Sequence, residues 1–155
     1  TFERDKIRKR AKEVTAKIQK NFVAGRLGLI IDGTGAEYGK IEIQKKMLQQ
    51  LGYDTYMIFV NTSLDTAIER NNKRDRKLPL DIVKVNWNNV QSNIGKFQRL
   101  FGMKNFIIVD NNNPKENVFR RVFKTIRNLA NKKVSNYIAK QWIDNQLRMK
   151  KLSKG

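Results

Sequence analysis

A chain of 155 residues with 39% hydrophobic content is one ordinary domain, long enough to bury a real core. With no cysteine and no histidine it has no disulfides, thiolate chemistry, imidazole base or histidine metal ligand, so any catalysis rests on carboxylates, amides, hydroxyls, Lys, Arg and a bound ion. A net charge of +19 concentrates polyanions (nucleic acid, nucleotide or acidic membrane surface), although a lysine-rich solvated face from a biased genome would give the same balance.

The charge is uneven: residues 115–155 hold twelve Lys/Arg against two Asp/Glu. The longest apolar runs, residues 27–31 and 56–60, fall far short of the roughly 20 residues that cross a bilayer. No charged, apolar, small-residue leader opens the sequence, so neither secretion nor membrane insertion is expected.

In chain order, Ile7, Ala11, Val14, Ile18 and Phe22 line one face of an amphipathic helix that ends near Gly25. "LGLIID" is short, apolar and bounded by glycines, the pattern of a buried strand. A helix burying Ile43, Met47, Leu48 and Leu51 should follow and stop at Gly52, the favoured residue for a left-handed cap. "YDTYMIFV" is a second strand. Thr62 or Ser63 caps a helix running into "ERNNKRDRK", which Pro79 closes.

Val83, Trp87, Val90, Ile94, Phe97 and Phe101 mark a long helix with an aromatic core stripe, capped by Asp81 and ended by Gly102. "NFIIVD" is a third strand. Asn113 as N-cap, Pro114 at the first position and Glu116 in a capping box open a helix that buries Val118, Val122, Phe123, Ile126 and Leu129. A last basic helix begins at Ser135 and carries Tyr137, Ile138, Trp142 and Leu147, with a frayed end at "RMKKLSKG". Alternating strands and helices predict a layered α/β fold with mostly parallel strands. Three strands are few for so much helix, and buried parallel strands need neighbours on both sides, so the sheet is expected to be incomplete.

Two clusters carry chemistry. The carboxyl end of a parallel strand opens on the ligand crevice, which puts Asp32 where a ligand sits. Gly33 lets a substrate come close and Thr34 adds a hydroxyl, while an acid here can hold Mg²⁺ through its water shell. A strand-end Asp before Gly is also a common turn former. The second cluster is "RNNKRDRKLP", with Arg70 and Arg74 at i, i+4 on one helix face and Arg76 beyond. Such a fork of guanidinium groups stabilises charge on a transferring phosphoryl group, and equally suits a solvated helix C-terminus.

Together, "LIIDGTG", "GYDTYMIFVNTSLDTAIERNNKRDRKLP", "VKVNWNNVQSNIGKFQRLF" and "FIIVDNNN" resemble the later part of the P-loop kinases grouped around zeta toxins and polynucleotide 5′-kinases, including predicted kinases of tailed phages. The likeness covers residues 27–113, and its most specific element is strand-end "ID-G-T" followed about 40 residues later by "RN..R.R..P". The resemblance implies an ATP- and Mg²⁺-dependent phosphotransferase of the three-layer P-loop-kinase type, working in the cytoplasm of a bacterial or phage-infected cell. It implies that Arg70, Arg74 and Arg76 form a lid over ATP phosphates, that Asp32 is the second, magnesium-side acid, and that Asn111 and Asn112 lie near the adenine. Residues 1–113 would be a partial kinase core and 114–155 a basic helical extension.

Such kinases need G-x-x-x-x-G-K-[ST], and these 155 residues contain none: Lys40, after Gly33, Gly35 and Gly39, is followed by Ile41. Thr1, with no initiator Met, reads as a cut inside a longer protein, so an N-terminal segment or partner chain is expected to complete the sheet and these residues should not transfer phosphate alone. A split or degenerate kinase, or a non-catalytic nucleic-acid-binding or viral scaffold with a kinase-like fold, is the alternative. Nucleotide is the expected partner, nucleic acid a candidate acceptor, and a membrane is not expected.

Overall fold

A computed structural model describes residues 2–113 and 116–153; Thr1, Pro114, Lys115, Lys154 and Gly155 lie outside the described residues. The chain divides into two compact units, Thr1–Gly33 and Thr34–Gly155. It is mixed α/β, mostly helical, and its sheet has two strands.

The first unit is built on α1 (Phe2–Ala24), where the expected periodic face winds as a helix with Glu3 and Asp5 in the first turn, the end favoured for acids. It stops in a Schellman motif: the Leu27 amide donates to the Phe22 carbonyl at 2.9 Å and the Arg26 amide to Val23 at 3.1 Å. The left-handed residue is Arg26, at φ 55°, and not a glycine. No residue of α1 is buried among those described, and Ile7, Val14, Ile18 and Phe22 are exposed.

Residues 27–31 were expected as a buried strand. They form none, and Ile30 is 95% exposed. A parallel strand exists only through a neighbour's backbone groups, and no described strand pairs with this one.

In the second unit α2 (Tyr38–Gln50) leads to β1 (Met57–Asn61), then α3 (Leu64–Asn72), α4 (Leu80–Phe101), one 3₁₀ turn (Met103–Asn105), β2 (Phe106–Asp110), α5 (Glu116–Ala130) and α6 (Tyr137–Leu152). The strands are parallel and in register from Met57 opposite Phe106 to Asn61 opposite Asp110. Among the described residues the three expected strands are thus two, and the expected three layers are not seen.

The core is aromatic. Phe97 of α4 is fully buried, with Phe59 of β1 at 6.4 Å and Tyr38 of α2 at 5.6 Å between ring centroids, while Phe59 meets Phe106 of β2 at 6.1 Å. Ile41, Met57, Val90, Ile94, Leu100 and Phe101 pack around these rings. Tilted contacts at these separations are favoured by the ring quadrupoles.

The α4 stripe is therefore inward, as expected, with Val83 and Phe97 buried and Trp87, Val90, Ile94 and Phe101 half-buried. Its start differs: Pro79 occupies the cap position without a side-chain bond, and Asp81 stands in the first turn. The inner face of α2 is rotated from expectation. Tyr38, Ile41 and Leu48 face inward while Ile43 and Met47 are exposed. Lys45 lies over the Phe101 ring at 5.5 Å, and burial, then the Lys46 charge, lowers its pKa.

Gly52 closes α2 as expected, at φ 101°, with its amide bonded to Gln49 at 3.0 Å and that of Tyr53 to Leu48 at 3.0 Å. In α5, Val118, Val122 and Leu129 are half-buried, but Phe123 and Ile126 are exposed, contrary to expectation. Glu116, expected in a capping box, instead accepts from Arg120 at 2.6 Å. Pro114, expected at the first helical position, lies outside the described residues. The α6 start is fixed by Asn136, whose side chain caps Ile138 at 2.9 Å and donates to the Gln49 carbonyl at 2.9 Å. Ser135 bonds both carboxylate oxygens of Asp54, at 2.6 and 2.7 Å. Where a frayed end was expected, α6 is helical through Leu152.

Candidate functional site

The parallel register brings the carboxyl ends of both strands together, Asn61 beside Asp110, so everything that follows them shares one rim. After β1, the Ser63 hydroxyl caps α3 by accepting from the Thr66 amide at 3.2 Å. After β2, the Asn112 side chain crosses to β1: its oxygen accepts from the Ser63 amide at 2.6 Å and its NH₂ donates to Asp110 at 2.7 Å. The Asn111 amide donates to the Asn61 carbonyl at 2.8 Å.

Helix α4 supports this rim from its core side. The Trp87 indole N–H donates to the Thr62 carbonyl at 2.9 Å, and Gln91 donates to the Asn61 side chain at 2.7 Å. Arg70, near the end of α3, donates to the Asn111 carbonyl at 2.5 Å and reaches that of Asn112 at 3.5 Å. These acceptors are neutral backbone carbonyls, and no ion pair to Arg70 occurs among the described residues, so the half-buried guanidinium ties α3 to the end of β2.

The arginine cluster is arranged differently from the expected helix face. α3 ends at Asn72, because Asn71 turns its side chain to the backbone of Leu78, donating to its carbonyl at 2.9 Å and accepting from its amide at 3.0 Å. Asn71 is 5% exposed, and this two-way bond closes residues 72–77 into a pinned loop. Arg74 and Arg76 stand on that loop, exposed, while Arg70 is tied to the β2 end. At the loop base Glu69 and Lys73 bond at 2.5 Å, and that hydrogen bond, then the Lys73 charge, holds the Glu69 carboxyl below its ordinary range.

The other expected positions fall in both units. Asp32 and Gly33 belong to the first unit, exposed on a segment without regular secondary structure. Thr34 opens the second unit and accepts weakly from the Ala36 amide at 3.5 Å. Among the described residues no three acids gather where they could hold a metal ion. Asn112, expected near an adenine, spends both ends of its amide on the rim.

The sequence reading missed Asn61, Gln91, Asn93 and Asn71. Asn93 is buried and donates to the carbonyls of Gly35 at 3.1 Å and Ala36 at 3.0 Å. Gly35, at φ 73°, meets Phe59 and Phe97, where a Cβ would lie 3.7 and 3.8 Å from their rings. The signal was present: Asn93 sits between Val90 and Phe97 on the apolar stripe, and a polar residue there needs a partner.

A family model described as Zeta toxin matches residues 4–134, a wider stretch than the motifs above, from the first turn of α1 past the end of α5. No curated protein and no solved structure matches. The chain therefore belongs to the zeta toxin family of P-loop-kinase-like proteins.

Proposed function

We propose that this chain serves an ATP-dependent phosphotransferase that acts on a hydroxyl acceptor, with the 5′ end of a nucleic acid as that acceptor. Family membership over residues 4–134 is the observation that carries the proposal. Net charge favours a polynucleotide over a small nucleotide sugar, because phosphate contacts dominate nucleic-acid affinity.

The residues fit the groups such a reaction needs. Guanidinium presents a planar two-pronged fork to phosphate, and Arg74 and Arg76 are exposed on a loop whose base is fixed by Asn71. Mg²⁺ keeps several waters and takes one or two carboxylates plus phosphate oxygens, so an exposed Asp32 suffices as its protein ligand. Bound MgATP supplies the phosphoryl group and neutralises part of its charge. Arg74 and Arg76 bind and orient the phosphates as charge develops, and Arg70 holds the loop of Asn111 and Asn112 beside the nucleotide. Gly33 leaves room for the acceptor and Thr34 offers it a hydroxyl.

The backbone cradle for the phosphates comes from a segment outside these residues, in the same protein or a partner chain, which also gives residues 27–31 the strand they lack. The chain alone is then inactive. Incubating the full-length protein with labelled ATP and 5′-hydroxyl oligonucleotides tests this: label on the oligonucleotide is expected, and no transfer to any hydroxyl acceptor overturns it. Oligonucleotide binding without transfer to any acceptor would favour the non-catalytic scaffold.

A further inference from the structure

Helix α5 carries an exposed surface that neither the rim nor the lid uses. Phe119 and Phe123 are 60% and 67% exposed, one turn apart. Helical geometry sets them about 5.4 Å apart along the axis, with Ile126 continuing the strip. Val118, Val122 and Leu129 lie on one flank, half-buried, and Arg120, Lys124 and Arg127 on the other, exposed. Among the described residues Lys124 and Arg127 have no acidic partner; Arg120 shares Glu116. Two large rings left in water are costly unless something covers them, and the adjacent cations indicate an anionic occupant.

We propose that this face of α5 is a binding site for single-stranded nucleic acid, with two successive bases stacked on Phe119 and Phe123 and the backbone phosphates following Arg120, Lys124 and Arg127. Two ring faces one turn apart suit unstacked, splayed bases, whereas a duplex keeps its bases stacked and out of reach. Sequence preference is weak, because every base has a π-face and Glu116, the carboxylate at the head of the strip, is held by Arg120. The site deepens the polynucleotide-acceptor reading and rests on it for its biological role, but its occupation does not require phosphate transfer.

Fluorescence anisotropy of the chain with a labelled mixed-sequence 20-mer tests the proposal, using the single strand, its duplex and anionic phosphatidylserine vesicles as probes. The single strand is expected to bind more tightly than the duplex. Phe119→Ala with Phe123→Ala should weaken it by at least roughly 30-fold, as loss of two base stacks does. Phe119→Tyr with Phe123→Tyr should retain binding, while the Leu pair, apolar but without a ring, should lose it. Lys124→Ala with Arg127→Ala should flatten the log-affinity against log-salt slope by about 1.4, at ~0.7 per phosphate contact. All four positions are exposed and each variant is checked for unchanged far-UV circular dichroism. Equal affinity for duplex, retained binding by the Ala or Leu pairs, or a Phe-dependent loss seen only with vesicles overturns the proposal. A Phe-dependent loss of self-association, with oligonucleotide binding unchanged, assigns the face to a second copy and also overturns it. Labelled-ATP transfer by the full-length protein is read separately, so the site and the phosphotransferase can fail independently.

Discussion

Asn71 decides where α3 stops and where two arginines stand. Its side chain imitates a backbone strand, giving and taking one hydrogen bond with Leu78 while almost wholly buried. Asn71→Ala leaves the part-buried Leu78 amide and carbonyl without their side-chain partners and should cost about 1–2 kcal/mol in urea denaturation. Asn71→Asp keeps the acceptor but loses the donor, and should fall between. Gly52 has a second fixed geometry: at φ 101°, a Cβ would lie 3.1 Å from the Ala139 amide nitrogen. Gly52→Ala should therefore cost about 1–3 kcal/mol, read as a lowered denaturation midpoint. The left-handed cap was legible, since Gly after an apolar run is a stop signal; the Ala139 contact was not, because it joins residues far apart in sequence. Arg26 was hidden too, as nothing local marks an arginine as the left-handed residue when Gly25 stands beside it.

Elements were legible in proportion to how strongly one period ran through them. The α4 stripe at spacings of three and four repeats over more than five turns, and the structure places it inward around a fully buried Phe97. Phe97→Ala should cost about 3–5 kcal/mol, the largest loss from any single core position, measured by equilibrium denaturation. Trp87, half-buried, contributes differently. Trp87→Phe keeps most of its apolar area but orphans the Thr62 carbonyl, and should cost about 1 kcal/mol. The face of α2 was misjudged because counting aliphatics overlooked Tyr38 and the Lys45 stem, which take core positions against aromatic rings. Residues 27–31 failed as a strand for a different reason. Their composition is right, but a strand is a property of a pair, and the pairing partner is not written into the segment itself.

At the scale of the molecule, the proposed function divides 33 cations between a reaction and a polyanion. The candidate site was legible only in its parts. "RNNKRDRK" announced arginines, but Arg70 went to carbonyls after β2 and only Arg74 and Arg76 remain exposed on the pinned loop. This split makes separable demands on mutants. On the proposed reading Arg74 and Arg76 meet phosphate mainly as charge develops, so Arg74→Ala or Arg76→Ala should lower the transfer rate more than ATP affinity. Lysine at either position should rescue poorly, since a point charge lacks the planar fork. Arg70→Ala should behave as a positioning change, loosening the loop of Asn111 and Asn112 and weakening nucleotide binding along with rate. Lys150→Ala with Lys151→Ala, on the exposed last turn of α6, should leave transfer to a small acceptor intact. These two changes should weaken oligonucleotide binding and flatten its salt dependence by about 1.4 in the log–log slope. Rate assays with a small hydroxyl acceptor and anisotropy across a salt series separate the two groups. Full activity in both Arg74→Ala and Arg76→Ala would remove the lid from the mechanism, and an unchanged salt slope in the α6 variant would remove the tail from the polyanion surface.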